Sequence, residues 1–333
     1  MYPLAGRWLQ NDRSSIKCND QGVEFIETSI KEDMFTLPRH PKIDLFSQLV
    51  PCIPVESKDE VILAIQVNIF GYGGTSVGVF LNHVIADAST SATFSLPKIY
   101  QVTYGPLKDC GAKPVTKRFV FDASNIAALR AKGTADATEC PTRVEAVVVW
   151  IWAAVIAAAR ERNKKLKSHL MSSAVNLRKR MIPSLPFNSI GNIFHVTTTK
   201  WIATSEAVDY NLLTCRVRES VRSVTDKYVR KMHENGEYVD FFKKGIESLG
   251  SSNGETEWLT TSSWCKFPLY EADFGWWKPT WVATCVSFLN SVTLIDTGDG
   301  EGIEAWVGLT EEDMDKLDHN SEFLSYVSSS IAA

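Results

Sequence analysis

Residues 146 to 159 read AVVVWIWAAVIAAA, an unbroken apolar run. A helix that is apolar on every face has to be buried on every face. Crossing a bilayer takes about 20 such residues, so the run is short for a membrane span and suits a buried core helix. A chain that carries such a helix must surround it with other elements. At 333 residues it is long enough for two domains, each with its own core.

An apolar content of 44% and a charged content of 22% belong to an ordinary globular protein. Lys plus Arg is 35 against 39 for Asp plus Glu, so no basic excess favours nucleic acid or an anionic membrane as partner. The 7 cysteines (Cys18, Cys52, Cys110, Cys140, Cys215, Cys265, Cys285) are scattered, odd in number and never in a CxxC pair. They read as reduced thiols of a cytoplasmic protein, not as a disulfide framework or a zinc site. MYPLAGRW shows no basic segment followed by an apolar one, the mark of a signal peptide. Internal repeats and low-complexity tracts are absent.

VILAIQVNIF (61 to 70) alternates apolar and polar residues, which predicts a half-buried strand. GYGG (71 to 74) is a turn, and TSVGVFLNH (75 to 83) a second strand with Val77, Val79 and Leu81 on one face. His83 continues that parity at the strand's end. Asp87 is a good N-cap for a helix that follows. His83 therefore sits where a strand gives way to a helix, a frequent place for functional groups in α/β proteins.

Leu96 to Pro114 is rich in proline and glycine and reads as a crossing loop. This divides the chain into a domain over 1–96, a crossover over 97–116 and a domain over 117–333. KRFVFD (117 to 122) is a strand, and SNIAALRAKG (124 to 133) a helix capped by Ser124 and stopped by Gly133. HLMSSAVNLR (169 to 178) is a buried strand, followed by the proline-broken loop MIPSLPFNSIGN. Residues 204 to 248 read as one or two amphipathic helices. EWLTTSSW, WVATCVSFLN and GIEAWVGL read as three strands, and EEDMDKLDHN opens a last helix. Helices interleaved with strands make an α/β protein.

NHVIADAST (82 to 90) sets His83 four positions before Asp87, and HPKID does the same with His40 and Asp44. Spacing alone chooses neither. Pro41 bars a regular helix in HPKID, so that pair has no fixed relation. GTSVG (74 to 78) matches GxSxG, but a serine nucleophile needs a sharp strand-to-helix turn, and here more strand follows Ser76. GYGGTS opens no helix, so a dinucleotide site fails the same test. A metal site needs three or four ligands at recognisable spacing. The other histidines are isolated, and His233 and Glu237 in HENGE lie on a polar helix. For His83 two readings stay open: a satisfied core histidine, or a base that titrates near neutrality and takes a proton from a hydroxyl.

Together these residues resemble a known family. NHVIADAST resembles the HxxxD segment of the plant BAHD acyltransferases, and EADFGWWKP, with Asp273, Phe274, Gly275, Trp276 and Trp277, resembles their DFGWG segment. YPLAGR (2 to 7), KRFVFD, NLRKR (176 to 180), GN (191 to 192) and SSWC (262 to 265) fall in family order. The resemblance runs from Tyr2 to about Val327. It implies two chloramphenicol-acetyltransferase-like domains, each a mixed β-sheet flanked by helices, with a channel between them. It implies a monomer that moves an acyl group, acetyl above all, from acyl-CoA to a hydroxyl of a plant specialised metabolite such as an alkaloid. On the same ground His83 is the general base, no acyl-enzyme forms, and no metal is required. Ser262 and Trp264 match positions lining the oxyanion region. Asp87 is expected to face away from the channel and to pair with Arg178. Asp273, Phe274, Gly275 and Trp276 are expected to support the site on the CoA side.

Three departures stand out. The family carries a segment ahead of YPLAGR, whereas this chain starts there, and the stretch between HxxxD and KRFVFD is also shortened, so the first domain is expected to lack about half its usual material and to leave sheet edges unpaired. Trp277 stands where the motif ends in glycine, and Ser262 where the family has threonine. The shortened first domain and Trp277 motivate a second expectation, a catalytically inactive member or binding protein that keeps the fold.

Overall fold

The structure is a computed structural model that describes residues 3–9, 12–38, 43–52, 61–83, 85–93, 99–101, 114–134, 139–162, 167–202, 208–237, 256–275, 278–285 and 288–332. A short ribbon pairs β1 (Arg7–Leu9) with β2 (Asp12–Lys17). A mixed five-stranded sheet has the order β11-β6-β5-β4-β3. Its strands are β3 (Glu24–Ile30), β4 (Leu63–Phe70), β5 (Thr75–Leu81), β6 (Ile99–Gln101) and β11 (Ala283–Thr284). A mixed seven-stranded sheet has the order β14-β7-β13-β12-β10-β8-β9. It comprises β7 (Val115–Phe121), β8 (Ser168–Asn176), β9 (Phe194–Ile202), β10 (Thr256–Ser263), β12 (Ser291–Asp296), β13 (Ile303–Leu309) and β14 (Ser329–Ala332).

The helices that matter below are α1 (Ile43–Phe46), α2 (Ala88–Thr93), α3 (Ala123–Lys132), α4 (Arg143–Arg162), α5 (Tyr210–Ser223), α6 (Asp226–Glu234) and α7 (Glu311–His319). The apolar run lies inside α4, where every residue from Ala146 to Trp152 is buried. Thr142 and Glu145 start it with a reciprocal box: Thr142 N–H donates to Glu145 Oε2 at 2.8 Å, and Glu145 N–H to Thr142 Oγ1 at 3.2 Å. One side of α4 packs on Phe119, Met171, Leu259 and Leu294 of the large sheet, while Leu213 of α5 and Met314 of α7 close over it. Each such side chain contributes about 1.5–3 kcal/mol by leaving water, and truncating Trp152 to alanine would cost about 3–5 kcal/mol. No helix among the described residues is long and apolar enough to cross a membrane.

The other face of the large sheet meets the first part of the chain. Trp264, Ile295 and Trp306 share a core with Phe46, Leu49, Val50 and Phe70. A polar link runs alongside. Arg118 donates to the Pro38 carbonyl at 2.6 Å, and Trp281 Nε1–H to the Glu304 carboxylate at 3.0 Å. Glu304 is buried beside Arg118, and burial pushes its carboxyl up.

Several sequence expectations change here. WVATCVSFLN is not one strand: Ala283–Thr284 pairs with β6 in the small sheet, Asn290 turns at φ 54°, and the next strand is Ser291–Asp296 in the large one. Its apolar run is long because Val282, Ala283 and Cys285 lie in the core between the sheets. Ile99–Gln101, inside the segment expected to cross as a loop, pairs with β5. Asp122, not Ser124, caps α3: its Oδ1 accepts from Asn125 N–H at 2.8 Å and from the Ser124 hydroxyl at 2.7 Å. Among the described residues β3 pairs with β4 alone.

Candidate active site

β5 delivers His83. Val77, Val79 and Leu81 point into a core with Leu4, Trp8 and Ile62. The ladder ends as Asn82 N–H donates to Ile62 O at 2.9 Å and Ile85 N–H to Asn82 O at 3.2 Å. His83 is left half-buried at that corner. It borders a cavity of about 100 Å³ whose walls include Asn176, Phe194, Ser262, Trp264 and Thr293. Phe194 meets the imidazole edge-on, with ring centroids 6.0 Å apart. Burial lowers the His83 pKa below the ordinary 6.5, against smaller upward pulls from its own carbonyl, from the Asp87 charge and from Asn192. The ring is therefore neutral at pH 7 and can accept a proton.

Asp87 borders the same cavity, where the resemblance placed it facing away, but its carboxylate is fully engaged. Oδ1 caps α2 by accepting from Thr90 N–H at 2.7 Å. Arg178 grips both oxygens, Nη1 to Oδ2 at 2.8 Å and Nη2 to Oδ1 at 3.0 Å, and Ile193 N–H donates to Oδ2 at 3.0 Å. Arg178 is 1% exposed and Asp87 6%. The guanidinium spends its other donors on Thr90 Oγ1 at 2.9 Å and on the Ser189 carbonyl at 2.9 and 3.1 Å. Thr90 Oγ1 in turn donates to Gly191 O at 2.9 Å. Gly191 holds φ at 136°, in the region that favours glycine. The network ties the corner that carries His83 to the loop between β8 and β9. It leaves Asp87 no lone pair for a proton relay.

Ser262 lies on β10, and its Oγ accepts from Trp264 Nε1–H at 3.2 Å. A hydroxyl that accepts from an indole keeps its own hydrogen for another acceptor. Asp273, Phe274 and Gly275 do not border the cavity. Asp273 Oδ1 accepts from Gly275 N–H at 2.8 Å, with Gly275 at φ 90°. That is a local turn on an exposed stretch. Trp276 and Trp277 lie outside the described residues, as does His40.

The rival motifs resolve in the same way. Ser76 is on β5 in a hairpin arm, and its Oγ accepts from Asn68 at 3.1 Å. Gly78 of GTSVG serves packing, since a Cβ there would stand 2.1 Å from the Leu49 carbonyl. His233 and Glu237 are exposed. Thr90, Ser189 and Asn192 were missed as site residues. The available signal was the pair Gly191-Asn192, which fell in family order without being assigned a task.

Comparisons with known proteins give the family and the fold. The family model described as Transferase family matches residues 1–100 and 97–324. A limonoid 21-O-acetyltransferase of Melia azedarach is 35% identical over 355 residues, 98% of this chain and 82% of that protein. Vinorine synthase of Rauvolfia serpentina is 33% identical over 98% of this chain and 82% of its own length. The crystal structure of vinorine synthase superposes with a TM-score of 0.76 at 30% identity, over 98% of this chain and 81% of that one. The fold alone extends to F. sporotrichioides TRI101, with a TM-score of 0.76 at 17% identity, over 98% of this chain and 88% of that one. The chain belongs to the Transferase family, the BAHD acyltransferases.

Proposed function

We propose that the protein moves an acetyl group from acetyl-CoA to a hydroxyl of a plant specialised metabolite, with His83 as general base. The acetyl choice follows relatives named as O-acetyltransferases. The observation that carries the mechanism is the placement of His83, an imidazole with lowered pKa on a cavity it shares with the Ser262 hydroxyl. His83 takes the acceptor's proton as the oxygen forms a bond to the thioester carbonyl carbon. The carbonyl oxygen gains the electron pair, and the Ser262 O–H donates to it. Such a donor is worth about 3 kcal/mol in the transition state. The carbon–sulfur bond then breaks, the thiolate leaves, and the proton on His83 passes to it. Asp87 holds the corner and exchanges no proton.

The test is thiol release from acetyl-CoA with a panel of plant alcohols. Release that depends on an acceptor and disappears in His83→Ala supports the reading. Release at an equal rate in the variant sinks it. Coenzyme A binding with no product from any acceptor supports the alternative, a binding protein that keeps the fold. The base must be neutral to act, so kcat/KM rises as pH climbs through the imidazole pKa. An unperturbed imidazole would put that rise at about pH 6–7. Burial moves it below 6.5.

A further inference from the structure

A histidine that works as a base needs a second group to hold its proton-bearing nitrogen, and the nearby carboxylate is spent. The loop that Arg178 anchors supplies a substitute. Gly191 is fixed by Thr90 Oγ1, to which its N–H donates at 3.1 Å, and Ile193 N–H is fixed by Asp87. The residue between them, Asn192, is exposed, yet its side-chain Nδ2 donates to the main-chain carbonyl of His83. We propose that Asn192 is a positioning residue, which clamps the His83 carbonyl so that the ring keeps its hydrogen on Nδ1 and turns the Nε2 lone pair to the cavity.

Three observations converge on this. The clamp joins loop to corner at His83, whose ring borders the cavity. The ring finds acceptors in its own carbonyl and in the Asn192 side chain, and covalent geometry puts Nδ1 nearest that carbonyl. A neutral imidazole holds one N–H, so an acceptor there leaves the far nitrogen as the base. Finally, Asn192 fills no core, so its amide is not needed for packing. The Asp87–Arg178 pair thereby has a second output: besides holding the corner, it brings Asn192 to His83.

The inference rests on His83 being the base, and the experiment separates the two. Steady-state kinetics with acetyl-CoA and a turned-over alcohol are measured for the wild type, His83→Ala, Asn192→Ala and Asn192→Asp, with thermal unfolding of each. Asn192→Ala should lose on the order of 100-fold in kcat, as misplacing a reacting group does. It should keep its KM for acetyl-CoA and its unfolding temperature. Its acid limb should move to lower pH, since a group that favours the charged ring is gone. Asn192→Asp should move that limb to higher pH by about 1 unit, because a carboxylate favours imidazolium. A wild-type kcat and limb in both variants overturn the inference, as does a rate loss matched by a fall in unfolding temperature. If His83→Ala is as active as the wild type, the general-base reading fails first and the role of Asn192 falls with it.

Discussion

Two histidines, one half-buried and one buried, invite comparison. His83 lies two residues past β5 and His169 is the second residue of β8, and burial lowers the pKa of both, that of His169 to about 4. His169 is 3% exposed and faces a network of ions. Glu257 binds Lys167 at 2.8 Å and Arg162 at 3.3 Å, and Arg162 also binds Asp313 at 2.9 Å. It borders neither the cavity nor the loop that Arg178 anchors. A lowered pKa therefore does not mark a base. The two sites differ in what the ring can reach: a cavity large enough for reacting atoms, or fixed charges that keep it in place.

The sharpest way to break this contrast is to remove each ring. His83→Ala should lower kcat by about 100- to 10,000-fold, the usual worth of a positioned base. His169→Ala should leave kcat of the folded enzyme near wild type. Rates scaled to folded protein measure both, and equal losses would mean that the distinction is empty. Next in size is Arg178→Ala, which strands Asp87 as a buried charge. It should cost about 3–5 kcal/mol in denaturant unfolding. Asp87→Asn keeps the volume and some hydrogen bonds. Its turnover per folded molecule should stay within a few-fold of wild type if Asp87 relays no proton. Ser262→Ala follows, with a drop in kcat of about 100-fold and an unchanged unfolding midpoint. A rise in KM with kcat unchanged would place the hydroxyl on the ground state instead.

How much of this could be read from the chain differs between the same two regions. The corner was legible because each part leaves a local trace. Alternation over 75–81 sets the strand and Asp87 sets the helix start, and His83 is left between them, two residues past the strand. The partners that complete it sit 91 residues away at Arg178 and 101 away at Gly191, and no local pattern announces such contacts. NLRKR supplied the first only through family order. β9 went unread because its buried face carries His195, Thr197 and Thr199 beside Trp201. Polar residues on a covered face erase the period-two signal. His169 left no trace at all, since its pKa depends on Arg160, Arg162, Lys167 and Glu257 meeting from α4, β10 and the approach to β8.

His169 gives the smallest and most conditional effect, and it tests the comparison from the stability side. Desolvation is the leading cause of its lowered pKa; Glu257 opposes the shift, while Arg160, Lys167 and Arg162 add to it. In the unfolded chain the ring titrates near 6.5, in the folded protein near 4. Between those values the unfolded state binds a proton that the folded state refuses, so stability falls as pH falls. Above pH 6.5 both states are neutral and the site contributes no pH dependence. Below pH 4 the full difference is reached, on the order of 3 kcal/mol at 1.36 kcal/mol per unit. His83 and His195 shift in the same direction, so acid should weaken the wild type through all three. His169→Gln keeps a polar side chain without a titrating ring. Its urea midpoint should decline less steeply from pH 6.5 to 4 than that of the wild type, with the two curves converging on a constant offset above pH 7. Parallel curves across that whole window would mean that His169 is protonated with little penalty, and that the ionic network, rather than the cavity, offers the easier place for a proton.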